Sequence, residues 1–234
     1  SPCQGFSFAG DQLAFDDPRS ALFFEFVRLI KECKPKYFLL ENVRMKKEFL
    51  DVITEQLGVE PIFINSALVS AQNRQRYYWT NIPNVQQPED RGLVLKDILE
   101  DSDWFTDRDK SHCLDANYFK GGNLKSYFEK HRRQLVFNKP IQVGTADIKG
   151  FDIIKRVYSP EGKSPTLTTM QGGHRQPKVA EDETRWRKLT PLECERLQTV
   201  PDNYTEGVSN TQRYKMLGNG MTVEVIKHIF RSIL

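Results

Sequence analysis

A cysteine, a carboxylate and a pair of arginines stand out by residue type and spacing. Cys3 lies in "SPCQGFSFAG", where Ser7, Ala9 and Gly10 make a small-residue loop around the thiol. Loops of this kind carry function, and a thiol there either acts as a nucleophile or packs as a small apolar group near a chain end. Glu41 closes the apolar run "YFLL". If that run is a parallel strand, the carboxylate emerges at the carboxyl end, where open α/β sheets bind ligands; otherwise it is a first-turn acid favouring the following helix. In "QNRQRYYW", Gln72, Arg74 and Arg76 share one face of an extended segment. Two fixed guanidiniums form a rigid donor array for a carboxylate, a phosphate or a carbonyl oxygen. The alternative is the wet face of an edge strand, against which the flanking Tyr77, Tyr78 and Trp79 speak. Near the other end, the Gly-Asn-Gly of 218–220, followed by Met221, predicts a flexible backbone at a helix N-terminus, with donors free for a ligand.

Helices and strands must position these groups. Residues 18–33 begin with Pro18 and repeat Leu22, Phe23, Phe26, Val27 and Ile30 at helical spacing. Tyr37 to Leu40 reads as a buried parallel strand, and a helix is expected from about Arg44 to Leu57. Residues 61–69 and 74–82 are β-rich and separated by a polar turn. Helix and strand alternate, so the first 85 residues read as part of an open α/β sheet. From about 101 to 185 the texture changes to short apolar pieces among Gly, Asn and Lys, as in a small inserted domain of irregular strands and loops. Order returns with Thr190 as N-cap, Pro191 at the first helical position and Glu193 completing a capping box over 191–198. A terminal helix follows, with Val223, Ile226, Ile229, Phe230 and Ile233 as its expected apolar face.

Composition narrows the class. With 38% hydrophobic and 28% charged residues the chain is of ordinary globular type. No apolar run approaches a membrane span and no signal peptide is visible, so an intracellular, cytoplasmic protein is expected, or a nuclear one if the source is eukaryotic. Cys3, Cys33, Cys113 and Cys194 are widely separated, which supports neither a metal site nor a disulfide framework. The last three are expected to be small buried apolar residues. Between 101 and 180 there are 14 Lys and Arg against 9 Asp and Glu, while the rest of the chain carries 20 against 22. The basic middle suits a polyanion, or equally a solvated surface of mixed charge.

Taken in order, Pro-Cys-Gln at 2–4, Glu-Asn-Val at 41–43, Gln-x-Arg-x-Arg at 72–76, Arg-x-Leu-Thr-Pro-x-Glu at 187–193 and the Gly-Asn at 218–219 resemble the DNA (cytosine-5) methyltransferase family, of bacterial or phage type. The segment "SPTLTTMQGGHRQPKV" is similar to the Thr-Leu and Gly-Gly elements inside that family's recognition domains. The resemblance spans essentially the whole chain. It implies an α/β fold, a Rossmann-like S-adenosylmethionine-dependent mixed seven-stranded sheet with a small inserted target-recognition domain. It also implies catalytic-core residues at 1–95 and 186–234 around a recognition domain at 96–185.

The resemblance further implies the roles. Cys3 is the expected nucleophile on carbon 6 of a flipped-out cytosine, Glu41 the proton donor at ring nitrogen 3, Arg76 the holder of the base carbonyl, and Arg74 a support for the loop or a phosphate. Pro2, Asn219 and Met221 are expected at the S-adenosylmethionine, and Gln4, Ser7, Thr166, Gly172 and Gly173 at double-stranded DNA. The family's glycine-rich cofactor loop lies upstream of Pro-Cys-Gln, and the first residue here is Ser rather than Met. The fold is therefore expected to be incomplete at its N-terminus, with an upstream segment or a second chain completing the cofactor site. The runner-up is a non-catalytic DNA-binding or accessory subunit, and an RNA substrate is a minor alternative.

Overall fold

A computed structural model describes residues 21–138, 142–145, 156–158 and 186–233. They form two compact units, one of 21–93 with 221–233 and the other within 94–220.

The first unit is a three-layer α/β arrangement. Helix α1 (Ala21–Cys33) buries Phe23 and Val27 at helical spacing and keeps Arg28 between Glu25 and Glu32, at 2.8 and 2.7 Å, on its outer side. Strand β1 (Leu39–Val43) leads into α2 (Lys47–Leu57). Gly58 stops that helix at φ 68°, and its N–H donates to the Thr54 carbonyl at 2.8 Å, a left-handed cap that suits glycine. Strand β2 (Ile62–Asn65), a turn of 3-10 helix and β3 (Gln75–Thr80) follow.

The strand order is β1-β3-β2, with β3 antiparallel to both neighbours, so β1 and β2 run parallel with β3 inserted between them. Leu40 and Trp79 on one face meet Phe23, Val27 and Ile53 of α1 and α2. Tyr78 and Ile64 on the other meet Val225 and Ile229 of the terminal helix α6 (Val223–Arg231). Arg91 with Glu224, at 2.5 Å, and His228 with the Gln86 carbonyl, at 2.8 Å, hold α6 to residues 86–91.

Several expectations for this unit are corrected, the first being that β1 has a parallel neighbour, since its partner among the described residues, β3, runs antiparallel to it. The strand expected over 37–40 lies at 39–43, because the side chain of Asn81 holds the backbone at Lys36 and Phe38, at 2.9 Å each, and the ladder with β3 begins only at Leu39. The face of α6 is centred on Val225 and Ile229, with Val223, Phe230 and Ile233 exposed; the 3.6-residue period places Val225 one turn before Ile229 and moves those three aside.

The second unit gathers shorter pieces: α3 (Leu124–Lys130), β4 (Leu135–Phe137), β5 (Gln142–Thr145), β6 (Arg156–Tyr158), β7 (Trp186–Lys188), α4 (Pro191–Leu197) and α5 (Asn210–Asn219). β4 pairs antiparallel with β7, and β5 with β6. Tyr118 is buried and donates to the Gln134 carbonyl at 2.5 Å, while Tyr127, Leu135 and Phe137 form a small aromatic core. Through the β4–β7 pairing and the packing of α4 and α5, residues 186–220 share a unit with 94–138, and the chain enters the first unit again at Met221.

The capping box on α4 is present: Thr190 Oγ1 accepts from the Glu193 N–H at 3.1 Å, and Glu193 Oε2 accepts from the Thr190 N–H at 2.8 Å. The Gly-Asn-Gly run is not a loop, since Gly218 and Asn219 close α5 and only Gly220 to Thr222 link the two helices. The reason is packing. A Cβ on Gly218 would lie 2.2 Å from the Asp115 carbonyl oxygen, so the helix end and the 115–116 backbone are in direct contact. Of the cysteines, Cys194 is buried, Cys113 half-buried and Cys33 exposed, and these three form no disulfide among the described residues. Cys33 departs from expectation because it closes α1 away from the Phe23–Val27 stripe.

Candidate active site

The antiparallel register of β1 and β3 sets Glu41 opposite Tyr78 and Val43 opposite Arg76, so Glu41 and Arg76 are diagonal neighbours on one face of the sheet. Glu41 thus stands mid-strand, neither at a strand's carboxyl end nor in the first turn of the following helix, the two positions the sequence left open. Arg76 Nε lies 2.9 Å from Glu41 Oε1, and the two side chains are only 14% and 15% exposed. The contact is an ion pair by distance but off the direction of a hydrogen bond: buried Oε1 makes no hydrogen bond among the described residues. The arginine fork still reaches its own strand, where Nη1 donates to the Gln75 carbonyl at 2.8 Å.

Upstream of β3, burial alternates residue by residue. Gln72 and Arg74 are buried and Arg76 half-buried, whereas Asn73 and Gln75 are exposed. The period of two puts Gln72, Arg74 and Arg76 on the inner side. Asn65 fixes the loop that delivers them. Its Oδ1 accepts from the Ala67 and Arg74 N–H groups, each at 3.1 Å, its Nδ2 donates to Asn73 Oδ1 at 3.0 Å, and the Ser66 N–H donates to the Arg74 carbonyl at 3.0 Å.

Sequence reasoning passed over Asn65, although an asparagine closing a β-rich run ahead of Ser-Ala carries the signal of an Asx turn. It also gave no role to Tyr78, which is buried directly opposite Glu41. Burial, with the Glu41 charge beside it, pushes the Tyr78 phenol well above its ordinary range, so it stays a neutral donor.

Asn219 and Met221 both present exposed side chains, one at the last position of α5 and the other just before α6. Pro2, Cys3, Gln4, Ser7, Thr166, Gly172 and Gly173 lie outside the described residues. Among the described residues no group of three or more His, Cys, Asp or Glu is placed to hold a metal ion. None of their helices is long and apolar enough to cross a membrane.

The model of a family described as C-5 cytosine-specific DNA methylase matches residues 1–234. Orphan methyltransferase M.SPBetaI of Bacillus phage SPbeta is 29% identical, over 93% of this chain and 70% of that protein. Type II methyltransferase M.HhaI of Haemophilus parahaemolyticus is 28% identical over 99% and 73%, and M1.ScrFI of Lactococcus lactis subsp. cremoris 31% over 100% and 60%. Among solved structures, Entamoeba histolytica methyltransferase EhMeth matches with a TM-score of 0.59 at 16% identity, covering 100% of this chain and 76% of that one. A Spodoptera frugiperda DNMT2 mutant matches with a TM-score of 0.52 at 18% identity, covering 98% and 77%. These structural matches agree with the α/β methyltransferase fold.

Proposed function

Because the chain belongs to the C-5 cytosine-specific DNA methylase family, we propose that it methylates carbon 5 of cytosine in duplex DNA through a covalent Cys3 adduct on a base turned out of the stack. Carbon 5 of cytosine is a weak nucleophile. Addition of the Cys3 thiolate to carbon 6 moves electron density onto carbon 5, provided a proton reaches ring nitrogen 3 at the same time. Glu41 supplies that proton and accepts the exocyclic amine, while Arg76 donates to the neighbouring carbonyl oxygen. Once carbon 5 bears the methyl group beside its proton, loss of that proton to solvent and return of the nitrogen 3 proton to Glu41 expel the Cys3 thiolate and restore the ring.

The observation that carries this reading is the Glu41–Arg76 pair. A carboxylate oxygen and a guanidinium nitrogen 2.9 Å apart on one face of the sheet match adjacent atoms on the Watson–Crick edge of cytosine, one needing a proton and the other a donor. Held on strands rather than loops, they require little rearrangement when the base arrives. Arg74 supports the loop or a phosphate. A stacked base exposes neither carbon 6 nor this edge to both sides of a pocket, so the base must leave the duplex, a task for the small-residue loop around Gln4 and Ser7.

S-adenosylmethionine, when bound, supplies the electrophilic methyl group. Pro2, Asn219 and Met221 are the residues of this chain that would hold it. The exposed amide of Asn219 and the exposed thioether of Met221 suit a polar and an apolar contact respectively. Neither supplies an acid for the ribose hydroxyls, which fits completion of that site by an upstream segment or a second chain. Residues 96–185 act as the target-recognition domain, with 1–95 and 186–234 as the catalytic core. Exposed Lys125, Lys130 and Arg132 neutralise phosphates, and Thr166, Gly172 and Gly173 are assigned to DNA binding by their match to the family's motif.

The test is Cys3→Ser in the full-length protein. Methyl transfer to duplex DNA is abolished while DNA affinity stays close to that of the parent; affinity lost together with activity removes Cys3 from the nucleophile role.

A further inference from the structure

We propose that Asn65 is a positioning residue for the arginine pair, an assignment that rests on the reading of Arg74 and Arg76 given above. Asn65 ends β2 and sits opposite Gln75, the first residue of β3. Between them the chain makes a nine-residue excursion, 66–74, that must return in register. A one-residue slip would turn Arg74 and Arg76 to the outer side of the sheet and bring Asn73 and Gln75 in.

The side chain of Asn65 fixes that return. Its Oδ1 takes the N–H of Ala67 on the outgoing side and of Arg74 on the incoming side, both at 3.1 Å. The adjacent Ser66 N–H takes the Arg74 carbonyl at 3.0 Å. Both backbone polar groups of Arg74 are therefore held from positions 65 and 66. Nδ2, which donates to Asn73 Oδ1 at 3.0 Å, fixes the amide's orientation so that the oxygen faces the two N–H groups. From Arg74, strand geometry alone carries the chain to Arg76 and its contact with Glu41. The side chain of Asn65 bonds to Ala67, Asn73 and Arg74 of this loop, so it acts through the arginines and not on the base.

The chemistry of the position is selective. The side chain accepts from two N–H groups and donates to Asn73, a combination that asparagine alone provides at this length, and the acceptor is the part that holds Arg74. Aspartate keeps the acceptor and loses the donor, and alanine loses both.

The experiment uses the full-length protein with S-adenosylmethionine and a duplex substrate, comparing Asn65→Ala, Asn65→Asp and Arg76→Ala by kcat, by KM for DNA and by amide hydrogen exchange. In Asn65→Ala, kcat falls by about ten- to a hundredfold, the scale of a reacting group displaced by an ångström. KM for DNA changes much less, and the Ala67 and Arg74 amides exchange faster. Asn65→Asp, which retains the bonds to both amides, recovers most of kcat and the protection of Arg74. Two results overturn the assignment: faster exchange with unchanged kcat, or a loss of kcat that only follows the unfolded fraction. Should the alanine variant not fold, an Asn65→Asp protein as slow as Arg76→Ala overturns it equally. If Arg76→Ala itself turns over normally, the reading of the arginines fails instead, and the two failures are told apart.

Discussion

Among the described residues, the buried Glu193 and Glu195 and the half-buried Glu41 each lie against an arginine, and they are satisfied to different degrees. In the second unit, Glu193 has no exposed surface: Arg187 grips both its oxygens at 2.7 and 2.8 Å, and the N–H groups of Thr190 and Glu100 complete it. Glu195, equally buried, accepts from Arg213 at 2.8 Å and from the N–H groups of Asn203 and Thr205 at 2.7 and 2.8 Å, with the Thr205 hydroxyl in addition. Burial pushes the Glu195 carboxyl up, but these donors outweigh it and hold it below the usual range. In the first unit, Glu41 has the Arg76 charge beside it and, among the described residues, no such ring of donors, one buried oxygen making no hydrogen bond there. A carboxylate surrounded by donors holds a fold together, whereas one with an arginine alongside and an oxygen left over keeps acceptor capacity to spare, as the role proposed for Glu41 requires.

Substitutions at these groups separate the two kinds of carboxylate. The largest effect is expected at Glu41: Glu41→Gln keeps the shape and removes the titratable proton, so kcat falls by about two to four orders of magnitude, the span of general acid catalysis. The thermal midpoint moves little. An unchanged rate would give Glu41 the same structural role as Glu193 and Glu195. Glu195→Ala should do the reverse, lowering stability by about 3–5 kcal/mol because Arg213 is left largely buried without its partner. Urea unfolding measures it, and a loss under about 1 kcal/mol would deny the network its structural role.

A smaller cost is expected at Gly218, where the backbone of Asp115 leaves no room for a Cβ. Gly218→Ala loses about 1–3 kcal/mol through overpacking, measured by the same unfolding. An alanine accepted without loss would mean that this helix end and residue 115 do not touch in solution.

The mildest probe is acidity. His112 is partly buried beside Arg108 and His131, with Asp107 opposing them, and burial first and the Arg108 charge second push its imidazole down to about 4. The folded value lies below the ordinary value of about 6.5. The unfolded chain therefore binds the proton first, and the contribution of His112, complete above the ordinary value, is lost as pH falls from there toward 4. His112→Gln should flatten that part of the stability–pH curve and leave the plateau near pH 8 unaffected, which denaturation at a series of pH values would show.

What could be read from the sequence was local. Thr190, Pro191 and Glu193 lie within one turn, and their capping box is where the residues alone put it. The inner side shared by Gln72, Arg74 and Arg76 follows from a period of two and is seen in the burial pattern. Pairings between distant segments were not legible. Nothing in "YFLLENV" or "RQRYYWT" says that β3 enters antiparallel between β1 and β2, yet that insertion makes Glu41 and Arg76 neighbours. The Gly-Asn-Gly run misled for a related reason, because the glycine answers a backbone contact with Asp115, more than a hundred residues earlier in the chain. Arg187 on Glu193 was likewise hidden, since β7 must first pair with β4 to aim it.

If Cys3 and the Glu41–Arg76 pair act on one cytosine, covalent trapping reveals it directly. Full-length protein is incubated with S-adenosylmethionine and duplex DNA carrying 5-fluorocytosine, in which fluorine replaces the proton that must leave carbon 5. A denaturation-resistant adduct through Cys3, absent in Cys3→Ser and strongly slowed in Glu41→Gln, is the predicted result. DNA bound without any adduct would contradict the account and leave a protein that recognises DNA and does no chemistry on it.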